Sequence, residues 1–106
     1  VASRGLGDVY NRQVCMYSDF FVTDASRIYE IGSASGLLSR KLLDWHASKP
    51  ALQLCGIDPV EDMIEHAQAQ TQDPRAQFIC EDVLNLQLDP CNLVVSYYTM
   101  QFITKL

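Results

Sequence analysis

The sequence predicts an α/β domain: a parallel sheet with helices on both faces. Three observations predict it. An apolar strand over residues 27–31 runs into a small-residue turn, Gly32-Ser33-Ala34-Ser35-Gly36, that opens a helix. Strand-like and helix-like runs then alternate, the pattern of right-handed parallel crossovers. Leu93-Val94-Val95 is apolar without alternation, which suits a strand buried on both faces of such a sheet.

Size and composition bound the rest. The chain has 106 residues, enough for one small domain with a modest core. Its 48% hydrophobic and 20% charged residues are ordinary for a soluble globular chain. No apolar run reaches the length of a membrane span. The chain begins at Val1 and shows no secretory signal, so its front reads as trimmed. The net charge is −5 with no basic cluster, which argues against direct nucleic-acid binding by this segment. Cys15, Cys55, Cys80 and Cys91 lack metal-ligand spacing, so free cytoplasmic thiols are expected rather than disulfides or a metal site.

Residues 1–8 read as a lead-in broken by Gly5 and Gly7. A helix is expected over about 9–21, with Tyr10, Val14, Tyr17 and Phe21 on one face. Those aromatics either pack in the core or, for Tyr10 and Tyr17, reach over a ligand. After the strand at 27–31, glycine supplies the φ > 0 of a tight turn. The turn's N–H groups and the helix N-terminus would face a ligand. Glu30 beside them would repel a phosphate and attract a cation or an amino group. The helix from Leu37 has apolar residues at 37, 38, 42, 43 and 47 and must end before Pro50. His46, near its end, reads as a solvated residue favoured by the helix dipole.

A second strand over 52–57 closes on Asp58-Pro59, 22 residues beyond Gly36 at Asp58. An acid there suits ribose hydroxyls in a nucleotide-binding α/β unit. It equally suits a helix N-cap followed by proline, and both roles can hold. A helix follows over 60–71, with Val60, Met63, Ile64 and Ala67 on its apolar face. A third strand over 77–80 leads into Glu81-Asp82-Val83, where Asp82 could simply cap a turn. A connection then reaches the fourth strand, 93–98, and a further helix is expected from Thr99.

Glu30-x-Gly32-x-x-x-Gly36 resembles the first motif of class I S-adenosylmethionine-dependent methyltransferases, with Ala34 where the middle glycine of that motif usually sits. Asp58, Asp82 and Tyr97 fall in the family's order. The resemblance implies a Rossmann-like fold, here truncated after about the fourth strand, with motifs at 29–36, 56–59 and 80–83. It also implies S-adenosylmethionine as cofactor and S-adenosylhomocysteine as product. Glu30 would then anchor the amino group, and Gly32, Ser33, Ala34 and Gly36 would lie against the methionine portion. Asp58, with Pro59 beside it, would bind the ribose. Asp82 would take the adenine amino group with Val83 on the ring, and Tyr10 and Tyr97 would complete the site. No catalytic residue is evident, because the sulfonium is already reactive and alignment supplies much of the rate. The acceptor is not legible.

Residues 56–59, 63–65, 93–95 and 99–103 also resemble the carboxy-S-adenosylmethionine synthase branch, which serves tRNA wobble-uridine modification. The sequence departs from that branch at Pro59 and Tyr97. A dinucleotide-binding oxidoreductase would need Gly-x-Gly-x-x-Gly, which is not present here. The rival from another class is a truncated, non-catalytic binding or interaction domain. Without later strands the edge of the fourth strand would be unpaired, so self-association through it is expected.

Overall fold

A computed structural model describes residues 2–96 of the chain, with side chains from residue 7 onward. Three helices, α1 (Ala2–Ser18), α2 (Leu37–Trp45) and α3 (Glu61–Gln70), accompany four strands: β1 (Arg27–Ile31), β2 (Gln53–Asp58), β3 (Ala76–Cys80) and β4 (Leu93–Ser96). All strand pairs are parallel, in the order β3-β2-β1-β4. Tyr97 and Tyr98, predicted to finish the fourth strand, and the helix expected from Thr99 lie outside the described residues.

Register places the carboxyl ends together. Ile31 is level with Ile57 and Ser96, and Asp58 with Cys80. The start of β4 is locked to β1 by Asn92, whose N–H donates to Arg27 O at 2.9 Å and whose Oδ1 accepts from Arg27 N at 3.0 Å.

One sheet face carries the main core. Ile28, Leu54, Leu93 and Val95 pack there against Val14 and Cys15 of α1 and Leu38, Leu42 and Leu43 of α2. Ile64 and Ala67 of α3 pack on Phe78 on the same face. Burying a side chain such as Leu42, fully enclosed here, is worth about 2 kcal/mol. The other face holds Tyr29, Cys55 and Ile57, covered by Val83, Leu86, Leu88 and Cys91 of the connection after β3. Sequence pattern suggested helices on both faces; the three described helices share one. The crossover after β3 contains only a single 3₁₀ turn, Val83–Asn85, and extended chain, so its apolar side chains cover the sheet without a helix.

Helix bounds shift from those expected. The helix predicted over 9–21 runs Ala2–Ser18. Gly7 does not break it: interior glycine costs about 1 kcal/mol, which the packing of α1 overrides. The buried positions are Asn11, Val14, Cys15 and Ser18, and Tyr17 is exposed. On α3, Ile64 and Ala67 are buried, whereas Val60 and Met63 are largely exposed. His46 is fully buried, not solvated. Its Nε2 lies 2.8 Å from Ser18 Oγ, which itself donates to Cys15 O at 2.6 Å. The hydroxyl proton is thus spent, so the imidazole donates through Nε2. Burial holds its pKa below the ordinary histidine range.

The carboxyl end of α2 is closed by Arg75. Its guanidinium donates to the carbonyls of Leu43, His46 and Lys49 and to both oxygens of Asp73. It thereby ties the last turn of α2 to the chain that follows it and leads into β3. The same hydrogen bonds hold the Asp73 carboxyl below its usual range.

Gly56 is closely packed on its helical face. A Cβ there would lie 2.6 Å and 2.8 Å from two Phe78 ring carbons and 2.9 Å from Ser33 Cβ. The ring is held by Ile64 and Ala67, so it has little room to yield. Gly56→Ala is therefore expected to lower unfolding stability by about 2 kcal/mol, read by urea denaturation. An unchanged midpoint would mean that the β1–α2 turn is not seated on β2 this closely.

Candidate functional site

The motif residues gather at the carboxyl edge of the sheet. In open α/β sheets ligands bind outside the carboxyl ends of strands where the order reverses, and that point here lies between β1 and β4. The turn after β1 stands above it, and Tyr10 of α1 reaches it from the side. Tyr10 Oη donates to Ser96 O at 3.1 Å, fixing α1 across the end of β4.

The turn is a tight, internally bonded structure. Gly32 and Gly36 have φ of 75° and 83°, and Ala34 has φ of 49°. The N–H groups of Gly32 and Ser33 both donate to Ile57 O, at 2.7 Å and 3.1 Å. Ala34 N donates to Asp58 Oδ2 at 2.9 Å, and Gly36 N to Ser33 O at 3.0 Å. Sequence reading expected the turn's N–H groups to face a ligand. Four of them instead bind the protein, because the turn folds back onto the end of β2 and must satisfy its own donors there. What it offers a ligand is shape and close approach.

Ala34 in the left-handed region carries a cost of about 1–2 kcal/mol that glycine would not. Glycine's extra freedom in the unfolded chain takes back roughly 0.4–1 kcal/mol. Ala34→Gly is thus expected to raise stability by about 0.5 kcal/mol, against the usual direction for alanine-to-glycine changes. A lower urea midpoint would contradict the backbone geometry.

Asp58 does two structural jobs. Oδ2 holds the turn through Ala34 N, while Oδ1 accepts from Val60 N at 2.9 Å and so leads the chain into α3. Its residue is 8% exposed, with lone pairs remaining on both oxygens. Pro59 beside it is exposed. Asp82 is exposed, and its Oδ1 accepts from Leu84 N at 3.0 Å, capping the 3₁₀ turn. Val83 is half-buried and packs toward Tyr29 and Ile57 on the non-helical face. Tyr97 lies outside the described residues.

Glu30 is 1% exposed and faces the helical side of the sheet. Ser39 Oγ of α2 donates to its Oε1. Burial pushes its pKa up to about 7, with the nearby Asp58 carboxylate adding to the rise and the Ser39 hydroxyl and Arg40 opposing it. Ser33 Oγ, buried in the turn above, has no hydrogen-bond partner. The three carboxylates thus belong to successive strand ends but differ in kind: one enclosed, one tied to backbone, one open to water. Ser39 was missed by sequence reading. The available signal was a serine inside the buried stripe Leu38, Leu42, Leu43 of α2, a position where a hydroxyl demands a polar partner.

A cavity of about 460 Å³ lies on the non-helical face under residues 86–89, lined by Tyr29, Cys55, Gln77 and Ile79 among others. Of the motif stretches only Tyr29 and Ile57 line it; Glu30, Asp58 and Asp82 do not. Among the described residues no group of three or more His, Cys, Asp or Glu could hold a metal ion, and no helix is long and apolar enough to cross a membrane.

The sequence model of a family described as "Methyltransferase domain" matches residues 28–106. The chain is 27% identical over 97 residues to the carboxy-S-adenosyl-L-methionine synthase of Histophilus somni, covering 85% of this chain and 39% of that protein. Against the synthase of Nautilia profundicola it is 32% identical over 111 residues, covering 93% and 46%. It thus spans less than half the length of these relatives. Among solved structures, the plantazolicin methyltransferase BpumL in complex with S-adenosylhomocysteine (SAH) superimposes with a TM-score of 0.62 at 23% identity, over 81% of this chain and 32% of that one. Coclaurine N-methyltransferase, bound to N-methylheliamine and SAH, gives 0.63 at 9% identity, over 80% and 26%. At such identities these likenesses speak for the fold alone.

Proposed function

The chain belongs to the methyltransferase-domain family, and on that premise we propose that it is the S-adenosylmethionine-binding portion of a methyltransferase. The observation that carries the reading is that the family-type turn 29–36, Asp58 and Asp82 follow the carboxyl ends of the neighbouring strands β1, β2 and β3. The small residues of the turn would lie against the methionine portion of the cofactor. Asp58 would use its remaining lone pairs for the ribose hydroxyls. Asp82, open to solvent, would meet the adenine amino group, with Val83 beneath the ring and Pro59 beside it. Tyr10 would close the side nearest β4, and Tyr97 would complete the site. Bound there, S-adenosylmethionine supplies an electrophilic methyl group, and the protein's work is to align it and shield it from water.

Calorimetric titration with S-adenosylhomocysteine tests the reading: saturable binding near one equivalent is expected. No heat from a well-folded sample would favour the non-catalytic alternative, a domain that only associates with a partner.

The synthase relatives favour a second reading within the same family, a carboxy-S-adenosylmethionine synthase-like enzyme. An acidic chain with four free cysteines fits a cytoplasmic location without direct nucleic-acid binding. Among the described residues β4 pairs only with β1, which supports self-association through its other edge. Sedimentation of a monodisperse monomer at tens of micromolar would remove that last proposal.

A further inference from the structure

We propose that Glu30 is a proton-linked positioning residue, releasing its proton when a cationic ligand occupies the carboxyl edge of the sheet. The inference rests on the cofactor reading above and adds a property that the motif does not state. Three observations carry it. First, Glu30 is level with Gly56, one position before the turn's anchor at Ile57, and Asp58 follows two residues on along β2. Alternation puts Glu30, Gly56 and Asp58 on one face, where the Phe78 ring and Ser33 Cβ pack over Gly56. Second, Glu30 has a hydroxyl for its partner, Ser39, and no ion pair among the described residues. The cation facing it, Arg40 of α2, donates instead to Ser35 O at 2.9 Å and Thr71 Oγ1 at 3.3 Å. Third, Ser33 Oγ is buried beside Gly56 without a partner, so the polar layer beneath the turn is incompletely satisfied.

The groups facing Glu30 are therefore Ser39 and Arg40 from α2 and Asp58 from β2. Burial and Asp58 favour its neutral form; a pKa of about 7 leaves it close to half-protonated at neutral pH. A sulfonium or ammonium group brought to the edge would favour the carboxylate, and the proton would leave to buffer. Glu30 need not touch the ligand. It would act through the turn that it underlies, and the gain in charge would strengthen the field at the sulfonium.

The experiment is calorimetric titration of S-adenosylmethionine at pH 7 in phosphate and in Tris, whose ionisation enthalpies differ. About half a proton should be released per ligand in the wild type, and none in Glu30→Gln. S-adenosylhomocysteine, without the sulfonium charge, should release less. Carbon-13 NMR of the Glu30 carboxyl should show its titration midpoint fall on adding S-adenosylmethionine. Ser39→Ala, which keeps Glu30, should move the free midpoint up and so serves if Glu30→Gln does not fold. Binding with equal heats in both buffers, or with a Glu30 midpoint that does not move, would overturn this inference and leave the cofactor reading standing. Absence of binding by a folded chain whose Glu30 still titrates near neutrality would overturn both.

Discussion

Glu30→Gln is expected to abolish a loss of about 3 kcal/mol that this one carboxyl imposes on the wild type between about pH 4.5 and 7, against the opposite, rising contribution of buried His46. In the folded chain burial raises the Glu30 pKa to about 7 from 4.5. Between those values the folded state holds a proton that the unfolded state has lost, so unfolding stability falls as pH rises. Each pKa unit corresponds to about 1.4 kcal/mol, which sets the size. Below 4.5 both states are protonated and the stability is fully present; above 7 the folded state bears a buried, unpaired carboxylate. Glutamine keeps the shape and can still accept from Ser39, but it does not ionise. The variant should match the wild type within about 1 kcal/mol at pH 4.5 and exceed it by about 3 kcal/mol at pH 8. Urea denaturation at several pH values reads both. Parallel curves for the two proteins would show that Glu30 is not the group responsible.

This residue also shows what the sequence could and could not disclose. Glu30 two positions before Gly32 located the motif, and β1 has the predicted bounds, Arg27–Ile31. Parallel pairing was readable from the alternating pattern; the return of the chain from β3 across the sheet to set β4 beside β1 was not. The surroundings of each carboxyl were not readable, because they depend on which face of a later helix turns inward. Ser39 lies nine residues on and meets Glu30 only after α2 packs. His46 looked like a helix-end residue in water. It is buried because α1 packs against α2 and sets Ser18, in its last turn, against the ring. The turn's N–H groups looked available because sequence gives no sign that Ile57 and Asp58 consume them. Tertiary partners, more than local propensity, account for these differences.

Asp58 carries the second large effect, and its structural bonds change how a binding experiment must be read. Asp58→Ala is expected to cost about 3 kcal/mol of stability. The change strips a partner from Ala34 N and from Val60 N, both in part-buried bonds, and frees the turn from β2; each lost bond costs about 1–1.5 kcal/mol. Loss of ligand binding in this variant would therefore follow from a displaced turn as readily as from a lost ribose contact. Asp58→Asn separates the two. Its single carbonyl oxygen can keep only one of the two backbone bonds well, so the stability loss should shrink to about 1–2 kcal/mol. A carboxylate accepting from ribose hydroxyls contributes a charge-assisted bond, roughly twice as strong as a neutral one. Asparagine should then weaken S-adenosylhomocysteine binding by about tenfold or more, measured where the variant is fully folded. Binding retained within about twofold in folded Asp58→Asn would restrict Asp58 to holding the turn, and would move ribose recognition to other residues of the same edge.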